Sequence, residues 1–244
     1  MSTLQSRYAQ VQERAAAAAQ RAGRPAEAIT LVAVTKTWPV ETLLAAYQAG
    51  IRQFGENRPE ELAEKAVQLA AELGADSGIR WHQIGTVQSR KSSLTADRAD
   101  LFHALDRVKI ARRLSNRLVE TGRQLPVLLE VNVSGESSKS GFPCGGWEED
   151  AALRAGLRQE IETIASMPGL TIQGLMTMAP WGVPEPEIRQ VFQRTRRLAS
   201  WLAEALPHLD FSQLSMGMSD DFEIAIEEGA TLVRVGRAIF GDRY

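Results

Sequence analysis

The chain has 244 residues, of which 44% are hydrophobic and 24% are charged, a balance typical of folded proteins rather than disordered ones. Its formal net charge is −2 at pH 7, with 28 Lys and Arg residues against 30 Asp and Glu residues, so the composition gives no basic footprint for nucleic acid or for an anionic membrane. Cys144 is the only cysteine, which excludes an internal disulfide and a thiolate metal cluster, and we expect no metal site.

The first segment predicts an amphipathic helix and not an export signal. Leu4, Tyr8, Val11, Ala15 and Ala18 recur on one helical face, and charged residues interrupt any apolar stretch of the kind found in secretory signals. No apolar run elsewhere approaches the roughly 20 residues that a membrane span requires. We therefore expect a soluble, cytoplasmic protein, in line with its single cysteine.

After this helix, short apolar or β-branched runs alternate with amphipathic stretches. Eight runs are predicted to be strands: residues 30–35, 51–55, 80–85, 101–105, 127–133, 171–177, 211–215 and 232–235. The clearest helical pattern covers residues 188–206 and begins just after two prolines. A second covers residues 153–165 and ends before a Pro-Gly pair.

This alternation predicts the fold class. About eight strand–helix repeats after one extra helix are typical of an α/β protein built as a closed (β/α)₈ TIM barrel. An open doubly wound sheet is the alternative, but the strand count suits the barrel and the dinucleotide-binding glycine fingerprint is absent. Residues 135–148 form the longest break, yet the pattern continues on both sides. We therefore predict one domain over residues 1–244.

Functional side chains of such barrels lie at the carboxyl ends of the strands and in the loops that follow. The rule selects Asn132, which lies one residue before the end of the fifth predicted strand. The candidate ligand-binding residues at these positions are Lys36, Asn57, His82, Met176, Ser215, Gly217, Ser219, Arg234, Gly236 and Arg237.

Lys36 ends the apolar run LVAVTK. Burying a lysine is costly, so the side chain either reaches solvent or has a chemical role. In a dry barrel mouth, desolvation lowers the pKa of an amine and leaves more of the neutral nucleophile that attacks an aldehyde. Lys36 is therefore a candidate Schiff-base lysine.

The last third of the chain predicts a phosphate site. LSMGMSDD follows the seventh strand and VRVGR includes the end of the eighth, and barrels often bind phosphate at the loops after these two strands. Gly217 and Gly236 would let the backbone approach an anion, and Ser215 and Ser219 offer hydroxyl donors. Ser219 is alternatively the N-cap of the next helix. The two aspartates that follow it would have to point away from a phosphate.

Arg234 indicates which ring accompanies that phosphate. A phosphate at Gly236 would bring a pyridine nitrogen within reach of the guanidinium. Because arginine cannot accept a proton, the ring nitrogen would stay unprotonated and be a poorer electron sink. Asn57 could donate to a ring hydroxyl, or it could be a turn residue that tolerates an unusual φ.

Several motifs carry a resemblance to a known family. They are LVAVTK, FGENR, WHQIGTVQSRK, VNVSGESSKSGF, GLMTMAP, LSMGMSDDFEIAIEEGAT and VRVGRAIFG, in order from near residue 30 to the C-terminus. Together they resemble the pyridoxal phosphate homeostasis protein family, which is related to the N-terminal barrel of alanine racemase. Two positions depart from the family pattern, with Thr86 where His is common and Arg90 where Asn is common.

The resemblance implies that the cofactor is pyridoxal 5′-phosphate (PLP). It implies an imine on Lys36, phosphate contacts around Ser215, Ser219 and Gly236, and Arg234 at the pyridine nitrogen. It also implies a role in intracellular PLP homeostasis, in which the protein carries PLP without a metabolic reaction. PLP-dependent apoenzymes are the partners that this role suggests.

Two other functions stay open, a PLP-dependent amino-acid racemase and a cofactor-free aldolase-like barrel. Racemisation needs proton-transfer groups on both faces of the imine. Lys36 could serve one face, but two-domain relatives supply the second base from an appended domain, which leaves only His82 or Tyr244 here. A cofactor-free aldolase-like function would leave Asn57 and Arg234 without a role. We therefore favour PLP binding without efficient catalysis, and the scattered tryptophans favour a monomer.

Overall fold

The computed structural model describes residues 3–242, so Tyr244 lies outside the described residues. The chain begins with helix α1 (Leu4–Arg21), which is capped by Thr3 through a hydrogen bond of 3.1 Å from the backbone N–H of Ser6 to Oγ1. The predicted apolar face of α1 contributes Val11, Ala15 and Ala18 to the core.

Eight parallel strands close into a barrel, as the alternation predicted. The strands of the described chain are β1 (Thr30–Val34), β2 (Gln53–Glu56), β3 (Arg80–Gln83), β4 (Leu101–Leu105), β5 (Leu125–Asn132), β6 (Phe142–Pro143), β7 (Leu170–Met176), β8 (Gln213–Ser215) and β9 (Leu232–Val235). The barrel order is β1-β2-β3-β4-β5-β7-β8-β9, and β9 pairs with β1. Strands β1 and β5 therefore lie on opposite sides of the barrel.

Helices surround the barrel between these strands. They are α2 (Val40–Gln48), α3 (Pro59–Leu73), α4 (Ser92–Arg98), α5 (Val108–Thr121), α6 (Ala151–Ala165), α7 (Glu185–Ala205), α8 (Phe222–Glu227) and α9 (Arg237–Phe240), with short 3₁₀ turns at Ala26–Ala28 and Ser89–Lys91. Helix α7 buries Val191, Phe192, Leu198 and Leu202, the predicted apolar face. Within residues 3–242, no helix combines the length and the apolar character that crossing a bilayer demands.

The predicted strand limits differ from the observed ones where a residue is apolar but has no ladder partner. Ile51 donates its N–H to Ala46 at the end of α2, so β2 starts two residues later than predicted. The two-residue strand β6 was not predicted. It lies inside the long break at residues 135–148 and pairs with Val131 and Asn132 at the end of β5.

Candidate functional site

The carboxyl ends of the barrel strands surround a cavity at the mouth of the barrel. Its volume is about 360 Å³, which falls within the ~300–1,000 Å³ typical of small-molecule sites. The lining comes from the loops after β1, β2, β3, β7, β8 and β9 and from side chains of β1, β4, β5 and β9. This is the end of a parallel barrel at which function is expected.

Six of the predicted residues line this cavity: Lys36, Asn57, Ser219, Arg234, Gly236 and Arg237. The other four do not, and they are His82, Met176, Ser215 and Gly217. The first three of these are buried among the strands below the mouth. Their direct contact with a ligand stays a prediction, and two of them have supporting roles described below.

Lys36 and Asn57 lie next to each other in the barrel because β1 and β2 are neighbours. Lys36 follows the end of β1 by two residues and is half-buried, and Asn57 follows β2 directly. The alternative reading of Asn57 as a turn residue with an unusual φ is wrong, since Thr37 is the sole non-glycine residue with positive φ in residues 3–242. The carbonyl of Asn57 accepts a hydrogen bond of 2.9 Å from Gln83.

Close packing also fixes the backbone on this side of the cavity. Gly85 lies so near the turn after β2 that a Cβ there would be 2.4 Å from the carbonyl oxygen of Asn57. A side chain at position 85 would displace the Asn57 turn. Glycine in the segment WHQIG therefore keeps Asn57 at the cavity wall.

The loops after β8 and β9 form a seat that suits an anion. Ser219 Oγ accepts hydrogen bonds from the backbone N–H groups of Gly236 (3.3 Å) and Ala238 (3.4 Å). Helix α8 begins at Phe222 after Asp221, so the reading of Ser219 as its N-cap is wrong. The Ser219 hydroxyl, which accepts from both N–H groups, keeps its own proton to donate to an anion at this end of the cavity.

The two aspartates beside this seat behave differently. Asp221 is buried and its Oδ1 accepts a hydrogen bond of 2.5 Å from the backbone of Met218. Asp220 is among the residues that line the cavity. Arg237 pairs with it, with Nη2 lying 2.5 Å from the carboxylate. That pairing offsets the negative charge at the rim.

Arg234 is held almost completely inside the barrel while still reaching the cavity. It is 4% exposed, Nη1 donates to Ser215 Oγ (2.5 Å), and Nη2 donates to the carbonyl of Thr177 (2.9 Å). Burial lowers the pKa of Arg234 to about 10, against the opposing charges of Asp221 and Glu130. The guanidinium is therefore still protonated at neutral pH.

A chain of buried hydrogen bonds continues from Ser215. His103 Nδ1 lies 2.8 Å from Ser215 Oγ, His103 Nε2 lies 2.8 Å from His82 Nδ1, and His82 Nε2 lies 2.8 Å from Gln53 Oε1. Gln53 Oε1 can only accept, so His82 donates to it from Nε2 and accepts at Nδ1 from His103 Nε2. His103 Nδ1 is then an acceptor, and Ser215, which accepts from Arg234, donates its own proton to it. His82 is thus a hydrogen-bonded interior residue.

Both histidines of this hydrogen-bond network, His82 and His103, are neutral. Burial, with a contribution from Arg80, lowers the pKa of His82 to about 3. Burial also lowers the pKa of His103 well below its usual value, helped by His82 and Arg234. Neither ring can carry the positive charge that would repel Arg234.

Glu130 is a cavity residue that the sequence analysis missed. It lies in β5, is 2% exposed, and its Oε2 has no hydrogen-bond partner. Burial and the charge of Asp106 raise the pKa of Glu130 to about 7, although Arg234 opposes the shift. The sequence feature that could have identified Glu130 is a carboxylate inside the apolar run VLLEVNV. The residue chosen instead, Asn132, orders the following loop by accepting from Ser134 at 2.9 Å.

The rim positions that depart from the family pattern have different locations. Thr86 lines the cavity, whereas Arg90 bonds to Gln88 Oε1 (3.3 Å) and is not part of the lining. Lys139, in the loop 135–148, donates a hydrogen bond of 2.7 Å to the carbonyl of Met178, which is itself a lining residue. Lys139 therefore ties that loop to the cavity wall.

Comparison with known proteins gives the family. The profile of the alanine racemase N-terminal domain matches residues 7–244. A pyridoxal phosphate homeostasis protein of Escherichia coli strain K12 is 41% identical over 246 residues, which covers 100% of this chain and 98% of the relative. The chain belongs to the pyridoxal phosphate homeostasis protein family.

Solved structures place this homeostasis family member among known barrels. The structure of PipY from Synechococcus elongatus PCC7942 with PLP bound has a TM-score of 0.77 at 33% identity, and the match covers 95% of this chain and 100% of PipY. Alanine racemase from Streptomyces coelicolor A3(2) has a TM-score of 0.67 at 17% identity, covering 96% of this chain and 58% of the racemase. The second likeness concerns the fold alone.

The cavity of this family member offers three kinds of contact in different directions. Lys36 supplies an amine on the β1 side of the cavity. A seat of N–H and hydroxyl groups lies at Ser219 and Gly236. Arg234 presents a charged donor at the end of β9. Within the described residues, no three His, Cys, Asp or Glu side chains gather as metal ligands.

Proposed function

We propose that this protein binds PLP in the barrel cavity as an imine on Lys36 and serves intracellular PLP homeostasis as a carrier, without efficient catalysis. The observation that carries the proposal is that an amine, an anion seat and a charged donor share one cavity. These are Lys36, the Ser219–Gly236 seat and Arg234. They match the aldehyde, the phosphate and the pyridine nitrogen of PLP in chemical kind.

The attachment needs no group beyond those in the cavity. Lys36 would hold PLP through its ε-amine, and the bound PLP would supply an aldehyde whose oxygen is lost as water when the C=N bond to that amine is made. Ser219 and Arg237 would hold the phosphate, and Asn57 would face the ring hydroxyl from the neighbouring strand. Such a bond would be reversible by water, which suits a carrier.

The Arg234 contact favours binding over turnover. When bound, PLP supplies an electron sink, and the sink is strongest with a protonated ring nitrogen. Arg234 can only donate a hydrogen bond, so it disfavours that protonation. Two donor contacts, to Ser215 and to the Thr177 carbonyl, fix the guanidinium in place.

Spectroscopy of the purified protein tests the proposal. Added PLP should give a visible absorption band that borohydride reduction removes. Lys36→Ala should abolish the band, and Lys109→Ala, at an exposed lysine on α5, should retain it. A protein that takes up no PLP would instead support the aldolase-like alternative.

Racemase activity is the second candidate, and Glu130 is the observation that favours it. Because β5 lies opposite β1, Glu130 lines the cavity on the side across from Lys36. Turnover of L-alanine to D-alanine should be slow or undetectable under our proposal. Rapid turnover that disappears in Glu130→Gln would favour the racemase.

We further propose that residues 1–244 form one domain, that the protein acts in the cytoplasm as a monomer, and that PLP-dependent apoenzymes receive its PLP. The continuous barrel supports a single domain, and the buried single cysteine supports a cytoplasmic location. Sedimentation would test the monomer, and activation of an apoenzyme by the loaded protein would test delivery.

A further inference from the structure

The segment that carries Lys36 is a tight turn with an unusual backbone. The N–H of Trp38 donates to the carbonyl of Thr35 at 3.0 Å, which closes a four-residue turn with Lys36 and Thr37 at its centre. Thr37 has φ +68°. The third residue of a type II turn needs positive φ and normally is glycine or asparagine, and a β-branched residue is strained there.

Helix α3 contacts both sides of this turn. On one side, Lys65 Nζ donates to the carbonyl of Thr35 at 2.9 Å. On the other side, the N–H of Thr37 donates to Glu61 Oε2 at 2.9 Å. Lys36 therefore stands between two backbone groups that α3 holds through side chains four residues apart.

The groups that hold the turn form a connected ionic network. Lys65 is buried and also donates to Glu56 Oε1 (2.7 Å) and towards Glu61 Oε2 (3.4 Å). Glu56, which is fully buried, accepts a further hydrogen bond of 2.6 Å from Thr35 Oγ1. All three protons of the Lys65 ammonium are thus directed at oxygens that belong to the turn or contact it.

A buried ion network is weak evidence for stability, because desolvation offsets much of the attraction. Strained residues held by surrounding contacts, in contrast, are concentrated at functional sites. The described chain contains one such non-glycine residue, and it directly follows the lysine that lines the cavity. This coincidence points to a role for the network in directing Lys36.

We propose that Lys65 and Glu61 are positioning residues that hold the Thr35–Trp38 turn in its strained form and so aim the ε-amine of Lys36 at the ligand aldehyde. This inference rests on the proposed function. Neither residue lines the cavity. They act on the covalent step, in which amine and aldehyde form C=N and release water, and not on docking of the phosphate or ring.

Separate measurement of docking and covalent attachment tests this assignment. Pyridoxine 5′-phosphate, which has no aldehyde, reports docking by its Kd. PLP reports attachment by the rate constant of the borohydride-sensitive band. Glu61→Gln keeps the shape of the side chain and removes its charge. Glu64→Gln is the matched control, because Glu64 is exposed on the same helix and its carboxylate accepts a hydrogen bond from Gln68.

In Glu61→Gln we expect attachment to slow about tenfold or more, the scale that misplacement of a reacting group causes. The Kd of pyridoxine 5′-phosphate should stay at the wild-type value in the same variant. Lys65→Met should slow attachment further if it folds. Thr37→Gly in the Glu61→Gln background should restore part of the rate, since glycine adopts positive φ without help.

Three outcomes are decisive. Equal attachment rates in Glu61→Gln, Glu64→Gln and wild type would overturn the assignment while leaving the proposed function intact. Parallel losses of docking and attachment in Glu61→Gln would also overturn it, because they would show a general structural role. Absence of any band in the wild-type protein would overturn the proposed function, and this inference with it.

Discussion

Ser215 and Arg234 share a hydrogen bond of 2.5 Å inside the barrel, and that bond connects the cavity to the protein interior. From Ser215 the chain of donors continues through His103 and His82 to Gln53. Every bond in it has the same direction, because Arg234 at one end can only donate and the amide oxygen of Gln53 at the other end can only accept. Ser215 therefore holds Arg234 in position.

Ser215→Ala should destabilise the protein, because it leaves Arg234 Nη1 and His103 Nδ1 buried with a lost partner. Each such group costs about 1–3 kcal/mol. Urea denaturation at pH 7 would measure the change in the free energy of unfolding. Ser212→Ala, at an exposed serine next to the same strand, is the control. Equal stabilities of the two variants would contradict the role given to Ser215.

The two buried histidines predict a loss of stability in acid. The folded protein keeps His82 neutral down to a pKa of about 3, mainly through burial, whereas the unfolded chain gains a proton near 6.5. Below pH 6.5 the unfolded state therefore binds more protons and the free energy of unfolding falls, at about 1 kcal/mol per pH unit for one such group. In His82→Gln, denaturation between pH 6.5 and 4 should show a shallower decline than in wild type. Parallel declines would count against a neutral His82.

Glu130 predicts that stability changes with pH in the opposite direction, over a pH range that overlaps that of the histidines. Its pKa is raised to about 7, chiefly by burial, from an ordinary 4.5. The folded state therefore binds more protons between these values, so its stabilising contribution is present below pH 4.5 and is lost as the pH rises through 7. Because the histidines act in the other direction, only the difference between variants is diagnostic.

The stability gained by Glu130→Gln over wild type should grow from pH 4.5 to pH 8 and reach about 3 kcal/mol. Denaturation at pH 5 and pH 8 gives the comparison. Glu136→Gln, at an exposed glutamate in the loop after β5, should show no such growth. A constant difference between Glu130→Gln and wild type would mean that Glu130 is ionised throughout this range.

Substitution of Arg234 tests the ring contact. Arg234→Glu supplies an acceptor that stabilises a protonated pyridine nitrogen, and it is best made in the Glu130→Gln background, which avoids a second carboxylate nearby. The absorption spectrum of bound PLP and its pH dependence should then differ from those of the Glu130→Gln parent. An identical spectrum would place the ring nitrogen elsewhere.

The sequence predicted the barrel and the residues of the cavity that lie just past strand ends. Alternating apolar runs identify strands, and the carboxyl end of each parallel strand must face the same mouth, which is enough to select Lys36, Asn57, Ser219, Arg234 and Gly236. No knowledge of side-chain contacts is required for that step.

The sequence did not predict residues whose role depends on depth within a strand. Glu130 and His103 stand in apolar runs, where strand periodicity alone does not distinguish the barrel interior from its outer face. Ser215 and His82, which we predicted as ligand-binding residues, lie in strands below the cavity. The strain at Thr37 depends on Glu61, which is 24 residues away, so the local sequence carried no sign of it.

Mapping the covalent adduct tests the central claim most directly. The protein would be incubated with PLP, reduced with borohydride, digested, and analysed by tandem mass spectrometry, with Lys36→Ala treated in parallel. We predict a single dominant phosphopyridoxyl group on the Lys36 peptide of wild type and none at that peptide in the variant. A dominant adduct on another lysine, with Lys36 unmodified, would contradict this account.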